Sequence, residues 1–146
     1  MPISRSASLV YQFLVQDVLP KKRVVTYGEV SSATGVPLGV AGGAVSKALY
    51  EIFRACDDRL LPPLSAIVVQ EDNLYDSTGR HGMPGGGYLV AEAESENNSS
   101  RRRDSGWERW NSHPRPSDTE TWNMKGMIEA HQDLVWGYQH PWPEKL

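Results

Sequence analysis

Residues 23–30 read Arg23-Val24-Val25-Thr26-Tyr27-Gly28-Glu29-Val30, and this phrase decides the fold class. Val24, Val25 and Thr26 are β-branched in a row, which predicts a very short strand. Tyr27-Gly28 then turns the chain into a short helix over residues 29–34, stopped by Gly35 and Pro37. Toward the N-terminus, residues 6–18 (SASLVYQFLVQDV) put Leu9, Val10, Phe13, Leu14 and Val18 on one helical face. Pro20 closes that helix, and Lys21, Lys22 and Arg23 make a basic turn. Toward the C-terminus a longer helix is predicted over about 39–56, with Val45, Ala48, Leu49, Ile52 and Phe53 in helical register. Asp57-Asp58 and Pro62-Pro63 break it. Residues 65–70 (SAIVVQ) have the branching and length of a buried strand. Residues 71–82 (EDNLYDSTGRHG) read as a hairpin loop, and residues 83–93 (MPGGGYLVAEA) as a Gly-rich turn into a second strand. Helix, short helix, longer helix and β-hairpin is the order of a winged helix-turn-helix. The expected class is therefore α+β: a winged helix-turn-helix-like domain over residues 1–91, with a short β-hairpin and a C-terminal helical tail.

The composition changes at about residue 92. Residues 92–120 are rich in Ser, Asn, Arg and Pro and poor in aliphatics, so they bury too little surface to offset their ordering entropy. They are expected to be a polar linker, interrupted by Trp107 and Trp110. Residues 121–146 form the third segment. There Met124, Met127, Ile128, His131, Leu134, Val135 and Tyr138 fall at three- and four-residue steps, which predicts an amphipathic helix ended by Pro141 and Pro143. Such a helix is expected to dock on the domain through Met127, Ile128, Leu134 and Val135, or on a second copy.

The chain of 146 residues has a net charge of −3, unevenly spread. Residues 1–60 carry seven Lys/Arg against five Asp/Glu, residues 61–100 one against six, and residues 101–146 seven of each. A phosphate backbone responds to local potential, so the first segment can still present a basic face. One cysteine, Cys56, excludes an internal disulfide and a multi-cysteine zinc site. No apolar leader and no apolar run of membrane-spanning length is visible, so the expected location is the cytoplasm.

Five phrases carry a family resemblance: residues 23–30, Gly35-Val36-Pro37, Ala44-Val45-x-x-Ala48-Leu49, Pro63-x-x-x-Ile67-Val68, and Gly86-Gly87-Tyr88. In order and spacing, residues 19–88 resemble the C-terminal DNA-binding domain of O6-alkylguanine-DNA alkyltransferases and of alkyltransferase-like proteins. The resemblance implies a helix-turn-helix, an active-site strand and a following Gly-Gly-Tyr turn. Its chemistry does not carry over. The family's Pro-Cys-His-Arg tetrad uses His to help form the attacking thiolate. With Pro63 set on the family's Pro, Leu64, Ser65 and Ala66 occupy the other three places. The Arg that the family inserts into the base stack aligns near Gly43.

The resemblance sets Tyr27 on a Tyr that crowds the phosphate beside the target nucleotide; packing between helix and turn is the alternative. Ser46 and Lys47 lie early on the longer helix, where short polar and basic groups reach bases and phosphates, or simply face water. Thr26 and Ser31 can donate to phosphate at a helix start, with capping an equal account of Ser31, and Lys21, Lys22 and Arg23 can reach flanking backbone. Cys56 between an apolar face and two carboxylates is a structural thiol, and the four His show no ligand-pair spacing. No nucleophile–base pair, metal set or phosphate loop is visible, so no catalytic residue, metal or cofactor is expected. The leading expectation is a non-catalytic module for double-stranded DNA, one that senses altered bases or serves a regulatory or defence complex. The alternative is a protein-interaction module, homodimeric or partnered, whose contacts are the tail residues Trp122, Trp136 and Trp142.

Overall fold

The computed structural model describes residues 3–39, 43–70, 81–85, 88, 91 and 128–146. The linker reading of residues 92–120, together with Trp122 and Met127, lies outside the described residues. Among the described residues, four helices and one two-stranded parallel sheet carry the architecture, with Tyr88 and Ala91 also helical.

Helix α1 spans Arg5–Phe13, with Ser4 as N-cap accepting the Ala7 N–H at 3.2 Å. The helical path continues through a wider turn, Leu14–Val18, in which the Leu19 N–H reaches back to the Leu14 carbonyl. A tight turn, Leu19–Lys21, follows. Pro20 has no N–H to extend the ladder, and Lys22 ends it in the left-handed region at φ 49°. Strand β1 is Val25–Thr26, helix α2 is Tyr27–Thr34 and helix α3 is Ala44–Asp58. A single turn, Leu64–Ile67, leads into strand β2, Val68–Val69. Helix α4 covers residues 128–136.

The core has two parts. In the larger, Ala7, Val10 and Tyr11 of α1, with Leu14 of the wider turn, meet Val45, Ala48, Leu49 and Ile52 of α3, over β1 and β2. The smaller gathers Phe53, Ala66, Tyr88, Ala91 and Ile128. Glu51 ties the two long helices at their edge, accepting from the Ser4 backbone N–H at 3.0 Å and its hydroxyl at 2.6 Å. A carboxylate there also complements the positive end of α1.

Two expectations about strands are corrected. Only Val68 and Val69 of residues 65–70 are extended, and they pair in parallel with Val25 and Thr26. Parallel pairing needs a crossover, and α2 with α3 supplies it. The second strand expected after the Gly-rich turn is absent among the described residues, since Tyr88 and Ala91 are helical. Residues three apart share a face in a helix and point oppositely in a strand. Both Tyr88 and Ala91 are buried in the smaller core cluster, which the helix allows. No β-hairpin is found among the described residues.

The tail packs on the rest of this chain. Ile128 and Val135 are buried as expected, whereas Leu134 is only half-buried. The seam is completed by two polar residues, His131 and Gln132, both fully buried. Gln132 Nε2 donates to the Ala66 carbonyl at 2.7 Å and the Gly82 carbonyl at 2.8 Å, and its Oε1 accepts from the Gly82 N–H at 3.4 Å. His131 Nδ1 meets the Tyr88 hydroxyl at 2.8 Å, and Tyr88 stands edge-on to Phe53. Past α4, Trp142 packs on Tyr138, Leu146 is buried, and the Tyr11 hydroxyl donates to the Pro143 carbonyl. No helix among the described residues is long and apolar enough to cross a membrane.

Candidate nucleic-acid interface

The segment from β1 to α3 is held by local hydrogen bonds that its sequence dictates. Thr26 is the N-cap of α2: its hydroxyl accepts from the Glu29 N–H at 3.1 Å, while Glu29 reaches back to the Thr26 N–H at 3.3 Å. Thr26 is 4% exposed, so this hydroxyl is spent on the cap. Ser31 is not a cap. Its hydroxyl donates to the Val36 carbonyl at 2.7 Å and ties the end of α2 to the turn. Gly35 closes α2 at φ 75°, a conformation that disfavours side chains with a Cβ. The chain then folds sharply back, and the Val45 N–H donates to the Pro37 carbonyl at 3.2 Å. α3 starts from Gly43 without a side-chain cap.

Tyr27 is half-buried, and its hydroxyl accepts from the Gly85 N–H at 2.7 Å. It bridges the start of α2 to the Gly-rich segment, a partner that neither sequence reading of Tyr27 named. Burial pushes its pKa above the ordinary value, and the Gly85 N–H, which favours the phenolate, only partly offsets this. Tyr11 is pushed up to about 12, first by burial and then by the nearby Cys56. Both phenols are therefore held neutral more firmly in the folded state than in the unfolded chain. Their contribution to stability is complete below the unfolded pKa of 10.0 and is lost as pH rises above it, toward about 12 for Tyr11. The urea midpoint is expected to fall across that window, and less steeply in Tyr11→Phe. An unchanged alkaline profile in Tyr11→Phe would refute this assignment.

Lys21, Lys22, Arg23, Ser46 and Lys47 are all exposed. Among the described residues no ion-pair partner is found for Lys21, Lys22, Arg23 or Lys47. The register of α3 explains the exposure of Ser46 and Lys47: Val45, Ala48 and Leu49 turn into the core, which leaves positions 46 and 47 outside. Two further residues share this outer face and were not picked out from the sequence. Tyr50 lies one turn on from Ser46, and Arg54 one turn beyond. The Arg54 guanidinium lies 5.9 Å from the Tyr50 ring centre and donates to its hydroxyl at 3.3 Å. The signal in the sequence is the four-residue step from Ser46 to Tyr50 to Arg54.

The residues that the sequence resemblance sets on the alkyltransferase tetrad are closed to solvent. Leu64, Ser65 and Ala66 are buried, and the Ser65 hydroxyl has no hydrogen-bond partner among the described residues. Cys56 is fully buried on the core face of α3, as a structural thiol would be. Among the described residues no three His, Cys, Asp or Glu side chains gather as a metal set. His81 Nε2 lies 2.7 Å from the Asp133 carboxylate and links the Gly-rich segment to α4. Trp136 and Trp142 are half-buried against the larger core cluster of their own chain. Compared with family models, with curated proteins and with solved structures, the chain matches none.

Proposed function

We propose that this protein is a non-catalytic module for double-stranded DNA, in which α2, the turn and α3 act as a helix-turn-helix. The observation that carries the reading is the solvent face of α3. Its first turn presents Ser46 and Lys47, and the nearest carboxylate on the helix, Glu51, is drawn aside to Ser4. A helix-turn-helix offers this part of its second helix to the groove. The exposed cations Lys21, Lys22 and Arg23 are suited to the flanking phosphates. The interaction-module alternative draws less support, because Trp136 and Trp142 spend part of their surface on their own core.

Fluorescence polarisation with short duplexes, plain and base-modified, across a salt series tests the proposal. Binding is expected to be weak and salt-sensitive. Lys47→Ala is expected to lower affinity several-fold at every sequence, and to reduce the log–log salt slope by about 0.9. No binding by the parent protein at low salt would remove the DNA reading and leave the interaction module.

A further inference from the structure

We draw no further inference here: the strongest candidate, the open groove between α1 and α2 lined by Phe13, Gly28, Glu29, Ser32 and Ala33, carries none because nothing in the structure shows what covers it.

Discussion

Replacing Gln132 with Leu is expected to destabilise the fold by about 3–5 kcal/mol, the largest effect of any single polar substitution in the described structure. Gln132 is 0% exposed and serves three backbone groups: the carbonyls of Ala66 and Gly82 and the Gly82 N–H. These groups belong to segments far apart in sequence, and neither the helix ladder nor the sheet satisfies them. A Leu side chain fills much the same volume but offers neither donor nor acceptor. Each backbone group left bare in the interior costs on the order of 1–3 kcal/mol. The loss also loosens α4, since residue 132 lies in the seam between Ile128 and Val135. Urea denaturation is the measurement: the midpoint falls and the slope changes little. A midpoint within error of the parent's would mean that water reaches these groups and that Gln132 is not the clamp.

Gly43→Ala is expected to cost about 2–3 kcal/mol, for a different reason. A Cβ at this position would lie 2.2 Å from the Leu38 carbonyl oxygen and 3.1 Å from the Gly39 Cα. Both are backbone atoms, so neither can rotate away. The turn between α2 and α3 would have to open, stretching the hydrogen bond from Val45 to Pro37. Gly35→Ala is the informative comparison. There the space is open, and the penalty is only that of a left-handed residue at φ 75°, about 1 kcal/mol. Thermal melts of the two variants should separate clearly, with Gly43→Ala the lower. Equal melting temperatures would show that the turn absorbs the extra carbon and is looser than the close approach implies.

The helices were legible because each buries one face against the rest of the chain, and burial writes a period into the residues. Val10 and Leu14 in the first helix, and Val45, Ala48, Leu49 and Ile52 in the third, were read at those positions and are in the core. The ends were legible where backbone chemistry demands particular residues, as with Gly35 after α2. The cap itself was not legible: the sequence offered that role to Ser31, which bonds to the Val36 carbonyl, and Thr26 takes it. The sheet was not legible in this way. Two-residue strands carry no alternation, so Val68 and Val69 advertise burial without naming a partner or a direction. Pairing with Val25 and Thr26 follows from where α2 and α3 carry the chain.

For the candidate site the division is similar. Sequence alone marked Lys21, Lys22, Arg23, Ser46 and Lys47 as polar or charged positions beside predicted helices, and all five are exposed. It left Tyr27 open between phosphate and packing, and the position of Gly85, 58 residues away, gave that hydroxyl a partner. It placed His131 on the buried stripe of the tail helix, but not Gln132, which completes the seam. Apolar periodicity is local and repeats every turn, so one segment displays it unaided. A hydrogen bond between distant segments leaves no periodic trace in either. Gln132 reads as an ordinary polar residue until Ala66 and Gly82 are brought to it, and Arg54 as an ordinary surface charge until Tyr50 is seen beneath it.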